Sequence, residues 1–348
     1  MIHSTDSFPG RTVNNNGKNH LYFGGTAYLG LPTLPGFCDI LISNILKYGT
    51  GYAASRKANV RLSIYEEAET IMAGLIGSEA ALSVSSGFLA GQLTLQSFSE
   101  EEYTFFHAPG THPALIHPGG RPYATHGQLL QDVRDFAGSH PDKTPVVLCD
   151  SVTPEQNLYE NHWYEQLPAE QTIFIADDSH GLGIMGNKGE GVYKRLEQIP
   201  FKELVVCGSM SKGFGIQAGA IFSSGAVIRR LWDNPVFAGA SPASPAMLAT
   251  FRDALPVYDI QRKKLQDNLK DFERYISGTD IFNGIKGHPA YSYKEESLTR
   301  YLLDKGIITT AFPYPDARSS LVQRIVISAY HTREDISKLC SAVRHFIN

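Results

Sequence analysis

The sequence is short of the features that mark a secreted, metal-stapled, membrane-bound or nucleic-acid-binding chain. Its 348 residues include four cysteines, Cys38, Cys149, Cys207 and Cys340, with no CxxC pair and no metal-ligand spacing. Neither a disulfide framework nor a structural zinc site is expected, and three of the four lie in apolar segments where cysteine acts as a small core hydrophobe. Positive charge is not in excess, with 31 Lys and Arg against 35 Asp and Glu and a formal net charge of -4. Without a basic run, phosphate backbones and anionic membrane surfaces find nothing to hold. No apolar run is long enough to span a bilayer, and the polar, asparagine-rich stretch from Met1 to His20 has no apolar core that would serve as a secretory signal. The reading is a soluble cytoplasmic protein with no nucleic-acid and no membrane partner. Internal repeats and low-complexity tracts are absent as well.

What is present is apolar material, 42% of the chain, enough for a sizeable core and for more than one domain. Short apolar runs at Val146 to Cys149, Ile173 to Ala176, Leu204 to Cys207 and Ala220 to Phe222 have the look of buried parallel strands. Longer mixed stretches separate them, which predicts an α/β fold with a mostly parallel sheet. Leu62, Tyr65, Ala68, Met72, Leu75 and Ile76 fall on one helical face after the glycine-rich Gly49-Thr50-Gly51. Thr332, followed by Arg333, Glu334, Asp335 and an apolar stripe through Ile336, Leu339, Cys340, Val343 and Phe346, predicts an N-capped terminal helix. The proline-rich segment Phe237 to Ala246 has the composition of a junction, with a helical stretch from Val257 to Ile276 beyond it. The expected division is an N-terminal segment over 1–45, a large domain over 46–236 and a smaller C-terminal α/β domain over 237–348.

The chemistry gathers at two strand ends. Ile173 to Ala176 runs into Asp177-Asp178-Ser179-His180, and Leu204 to Cys207 runs into Gly208-Ser209-Met210-Ser211-Lys212-Gly213-Phe214-Gly215. Open α/β sheets bind ligands at the carboxyl ends of their strands. Asp177 and Lys212 are separated by about one strand-helix-strand unit, so both can address one ligand. Pyridoxal 5′-phosphate (PLP) asks for this pair: a lysine amine for its aldehyde and a carboxylate that keeps its ring nitrogen protonated. His180 would hydrogen-bond the ring's phenolic oxygen. The phosphate needs backbone N–H groups at a helix start and hydroxyls. Ser85-Ser86-Gly87-Phe88, ahead of a helical stretch from Leu89 to Leu95, offers the first, and Ser209 and Ser211 offer more hydroxyls.

Each of these residues has an ordinary reading too. A lone lysine after a strand is normally solvated, Asp177 and His180 alone would pass for a cap and a surface histidine, and Ser86-Gly87 for a turn. His107, His112 and His117 share an irregular loop without acidic neighbours, a weak pattern for metal, and no metal is expected.

The ordered set of motifs resembles the α-oxoamine synthases, a branch of the fold-type I PLP-dependent transferases. SMSKGFGIQAG resembles their lysine motif, AYLGL at Ala27 to Leu31 their NDYLGL, GTGYAASR at Gly49 to Arg56 their GTGSSGSR, and SSGFLA at Ser85 to Ala90 their phosphate loop. Thr111 to Leu115 resembles NHASL, ADDSHGLGIMGNKGEG resembles DEAHSTGVLGPHGRG, and QRIVISAYHTREDI resembles RLRISLTAAHTEEDI. The resemblance implies His112 stacked on the PLP ring, Asp177 on its nitrogen, His180 on its phenolic oxygen, Lys212 as the Schiff-base lysine and catalytic base, and Arg324 on the substrate carboxylate. Ser86, Gly87, Phe88, Ser209 and Ser211 would hold the phosphate. It further implies a homodimer with GTGYAASR near the partner, and an amino acid and an acyl thioester as substrates. Thr26 stands where the family has an asparagine that helps hold the substrate carboxylate. Ser151-Val152-Thr153-Pro154-Glu155 replaces FSMDG, and Ala238-Gly239, with Ser241 close by, replaces a Ser-Thr pair that reaches a neighbouring subunit's phosphate. The expected activity is decarboxylative condensation of a small amino acid with an acyl thioester. The alternatives are an aminotransferase or other PLP enzyme acting on an amino acid and, in another class, a non-catalytic binding protein of the same fold.

Overall fold

The computed structural model describes residues 4–15, 17–153, 157–314 and 318–347. The chain divides into two compact units, one of residues 39–255 and one of residues 1–38 with 256–348.

The larger unit is built on a seven-stranded sheet in the order Ala80–Val84, Gly219–Ser223, Glu203–Ser209, Ile173–Asp177, Thr144–Asp150, Tyr103–His107, Arg121–Pro122. Neighbours from Glu203–Ser209 to Arg121–Pro122 pair in parallel. The expected apolar runs lie inside these strands. Ile173–Asp177 is buried at all five positions, as befits a parallel strand covered on both faces. One expectation needs correcting: Ala220 to Phe222 belongs to Gly219–Ser223, which runs antiparallel to both of its neighbours. A fully buried strand reads as an unbroken apolar run in either direction, so composition does not reveal its sense.

Leu82, Val84, Ala90, Leu93, Leu148, Ile175, Val205 and Ile221 share one buried cluster, which fastens the helix Gly87–Leu95 to the sheet. The helix expected after Gly49-Thr50-Gly51 is Ile64–Ile76. Arg56, from the GTGYAASR segment, is buried: its fork takes Glu69 at 2.8 and 3.1 Å, and its guanidinium lies 4.0 Å from the Tyr65 ring centre. Phe237 to Ala246, expected as the junction, lies inside this unit, and its helices Pro235–Gly239 and Pro245–Asp253 precede the division at Leu255.

The smaller unit carries a six-stranded sheet in the order Thr12–Asn15, Lys18–Phe23, Ile307–Pro313, Leu321–Val326, Ala290–Ser292, Asn283–Gly284. Within this sheet, among the described residues, only Lys18–Phe23 and Ile307–Pro313 pair in parallel. The N-terminal strands thus complete a sheet of C-terminal strands. The helix Leu255–Ile276 belongs here, as does Arg333–Ile347. At the start of the latter, Thr332 Oγ1 accepts from Asp335 N–H at 3.3 Å and Asp335 Oδ2 accepts from Thr332 N–H at 2.8 Å, a reciprocal cap. Among the described residues, no helix is long and apolar enough to cross a membrane.

Candidate active site

Parallel pairing sets three aspartates at one sheet edge. Asp150 lies opposite Asp177 across one strand pair, and Asp177 lies opposite Cys207 across the next. Asp177 is 5% exposed and Asp178 is wholly buried. A buried carboxylate must be hydrogen-bonded or paired. Asp177 Oδ1 accepts from Ser179 N–H at 2.8 Å. Beyond Glu203–Ser209, the lysine loop folds back through Met210 N–H to Ala218 O at 2.9 Å. This sets Lys212 Nζ 3.0 Å from His180 Nε2.

His112 joins from the loop beyond Tyr103–His107. Its backbone N–H donates to Asp150 Oδ2 at 2.6 Å, and its Nδ1 accepts from Ala114 N–H at 3.1 Å. Burial holds the imidazole below its usual range, while the Asp177 charge pulls it up and Lys212 pushes it down. Lys212, His180, Asp177 and His112 therefore form one electrostatic neighbourhood. His107 and His117 are engaged elsewhere: His107 Nε2 accepts from His117 N–H at 3.0 Å, and the His117 ring stacks on Phe105 at 3.8 Å.

The expected phosphate loop caps Gly87–Leu95, with Ser86 Oγ accepting from Leu89 N–H at 3.1 Å. Gly87 is pressed against the lysine strand: a Cβ there would stand 2.6 Å from Ser209 N. Only glycine permits that approach. The hydroxyls of Ser209 and Ser211 lie 2.7 Å apart, so both loops present hydroxyls and N–H groups side by side. Phe88 is 55% exposed.

Arg324 and Thr26 belong to the smaller unit. Arg324 sits in Leu321–Val326, half-buried, and among the described residues its Nε is buried with no hydrogen-bond partner. Burial pushes the Tyr28 phenol up, and the Arg324 charge opposes that shift. Thr26 is exposed. In the segment replacing FSMDG, Ser151 N–H donates to Asp177 O at 2.8 Å, while Pro154 and Glu155 lie outside the described residues. Ala238 O accepts from Ser55 Oγ at 2.8 Å, and Ser241 is exposed. Sequence reasoning missed the contacts of Asp150, Asp178 and Ser179. The one available signal was their place at or just past the apolar runs.

A lysine and an aspartate at adjacent parallel strand ends, with His180 against the lysine and His112 nearby on another loop, are the arrangement that fold-type I PLP-dependent transferases use. The chain belongs to the aminotransferase class I and II family, whose model matches residues 159–343, more than half of its length. The 8-amino-7-oxononanoate synthase of Petrotoga mobilis is 26% identical, over 96% of this chain and 90% of that protein. The serine palmitoyltransferase of Bacteroides ovatus is 25% identical, over 94% and 88%. A serine palmitoyltransferase structure solved with PLP superposes with a TM-score of 0.80 at 18% identity, covering 99% of this chain and 92% of that one, a likeness of fold. The α-oxoamine synthase resemblance read from the motifs and PLP as cofactor agree with these relatives, and the chain is a PLP-dependent transferase.

Proposed function

We propose that this chain joins a small amino acid to an acyl thioester with loss of carbon dioxide, as an α-oxoamine synthase. The observation that carries this reading is the meeting of Lys212 with His180 at 3.0 Å beside buried Asp177. The site fits PLP: a buried carboxylate suits a pyridinium, and the close contact of Gly87 with Ser209 lines up donors that suit a phosphate. When bound, PLP supplies an electron sink that makes the Cα of an amino acid acidic.

The protein's residues do the rest. Lys212 holds the cofactor and then takes and returns the Cα proton at its Nζ. Asp177 keeps the ring nitrogen protonated. His180 steadies Lys212 and the phenolic oxygen, and His112 covers the ring and assists proton transfer. Ser86, Gly87, Phe88, Ser209 and Ser211 secure the phosphate. Arg324, its Nε buried without a partner, takes the substrate carboxylate through its planar fork, with Thr26 in the asparagine's place. A homodimer completes the reading, supported by Leu46, Val60 and Phe88, which are 85%, 69% and 55% exposed on the larger unit.

Glycine, alanine or serine is added with an acyl-coenzyme A to the PLP-loaded protein, and free thiol is measured. Thiol release with one of them, lost in Lys212→Ala, is expected. No thiol with any of them, together with amino transfer to a 2-oxo acid, replaces the synthase by the aminotransferase that the change at Thr26 favours. A protein that takes up no PLP sinks both.

A further inference from the structure

Asp178, next to Asp177, has no part in the chemistry above, yet its carboxylate is densely engaged. Its Oδ1 accepts from the hydroxyls of Ser151 and Tyr159, the latter at 2.9 Å, and its Oδ2 accepts from Val192 N–H at 2.8 Å. Its backbone is tied as well: its N–H donates to Cys207 O at 2.8 Å, and its carbonyl accepts from Gly181 and Leu182 at 3.0 and 2.9 Å. The chain is drawn tightly onto the carboxylate. A Cβ at Gly181 would collide with Asp178 Oδ1 and Tyr159 Oη, and one at Gly191, whose φ is +72°, would collide with Oδ2.

On either side of this knot, successive side chains of one turn reach the cofactor end. Asp177 Oδ1 accepts from Ser179 N–H, Ser179 Oγ accepts from Ser209 N–H at 2.8 Å, and His180 meets Lys212. We propose that Asp178 is a positioning residue: by tying Ser151, Tyr159 and residues 181–192 to the end of Ile173–Asp177, it holds the turn that presents Asp177 and His180 to Lys212. The inference rests on Asp177 and Lys212 being the cofactor-holding pair.

Its charge state follows from its surroundings. Burial pushes the carboxyl up to about 7, against the pull of Ser151, Val192 and Tyr159, and Asp177 pushes it further. Tyr159 faces it with Arg195 and Glu190 beyond, and the thiols of Cys149 and Cys207, also near Asp150, face it from the flanking strands. As a carboxylate it satisfies all three donors; once protonated, one hydroxyl must turn to accept. Because the folded value lies above the unfolded one, this group's contribution to stability is full below pH 3.8 and is lost as pH rises through about 7.

The PLP-loaded wild type, Asp178→Asn, Asp178→Ala and Tyr159→Phe are compared by pH titration of the Lys212-dependent absorbance, by cofactor dissociation constant and by thermal unfolding. Asp178→Asn, which can accept from Val192 and donate to both hydroxyl oxygens, is expected to fold and to keep affinity within about threefold. Losing the buried charge lowers its absorbance midpoint by about half a unit or more and flattens the unfolding profile between about pH 4 and 7. Tyr159→Phe loses cofactor affinity by about fivefold, and Asp178→Ala by more than about tenfold. Folded variants with wild-type affinity and absorbance midpoint overturn the proposal, even where unfolding temperatures fall, because Asp178 is then scaffold alone. Should Asp178→Ala not fold, the other two variants decide. A wild type with no Lys212-dependent absorbance is a separate outcome that removes the reading underneath as well.

Discussion

In the larger unit, the residues around the expected cofactor are fastened by their neighbours. Asp177 takes Ser179 N–H, Lys212 lies against His180, and the His112 backbone is anchored on Asp150. In the smaller unit the two expected substrate residues have looser surroundings: Thr26 is exposed, and Arg324 keeps a buried Nε with no partner among the described residues. A buried donor without an acceptor has a cost, about 1–3 kcal/mol. On the proposed reading, the cofactor residues lie in the larger unit and the two substrate residues in the smaller. In the sequence, the departures from the synthase pattern at Thr26 and at Ser151-Val152-Thr153-Pro154-Glu155 fall one in each unit and leave Lys212, Asp177 and His180 in place.

The comparison breaks most sharply at Lys212. Lys212→Ala is expected to abolish the cofactor's visible absorbance and to lower turnover by at least about a thousandfold, measured as thiol release. Retained absorbance would move the covalent role to another residue. Asp177→Asn keeps the shape and removes the charge. PLP should still bind, while turnover falls by about a hundredfold or more, because a neutral partner no longer holds the ring proton. An Asp177→Asn protein of wild-type turnover would leave the larger unit with fastening but no electrostatic purpose.

In the smaller unit the effect should fall on binding. Arg324→Ala is expected to raise KM for the amino acid by about 10- to 100-fold, the loss of a charge-assisted fork, with little change in cofactor absorbance. Arg324→Lys should recover only part of this, since a point charge replaces a planar pair of donors. If cofactor affinity falls as much as KM rises, the division of labour between the units is lost.

Much of this was legible because parallel strands advertise themselves. The runs at Val146, Ile173 and Leu204 are buried on both faces, and a site at their carboxyl ends follows from the fold class. The N-terminal strands Thr12–Asn15 and Lys18–Phe23 were not legible, being polar, asparagine-containing and completed only by distant C-terminal strands. Register hid the rest. The hold of Asp150 on His112 joins residues far apart in sequence, and it exists only once Tyr103–His107 and Thr144–Asp150 pair. Ser86 shows a further limit, since its hydroxyl has the ordinary task of capping a helix as well as lying in the expected phosphate loop.

The smallest effect concerns acid. In the smaller unit, His331 is 1% exposed and stacked on Phe23 at 3.9 Å; its Nδ1 accepts from Ser328 N–H at 3.0 Å and its Nε2 faces Tyr22 O at 2.9 Å. Both ring nitrogens are thus used by the neutral form, and burial holds the imidazole at about 4. The folded value lies below the unfolded one, so this stability is full above about pH 6.5 and is lost as pH falls toward 4, by about 1 kcal/mol at pH 6. In the larger unit His107, also held at about 4 by burial, acts in the same direction, but Asp178 at about 7 gains stability over the same descent and offsets it. Protection against amide exchange, taken relative to the intrinsic exchange rate at each pH, should therefore fall in Lys18–Phe23 before it does in Ile173–Asp177 on acidification from pH 7 to 6. Asp178→Asn should bring the two closer together, and an equal loss of protection in the wild type would remove the contrast.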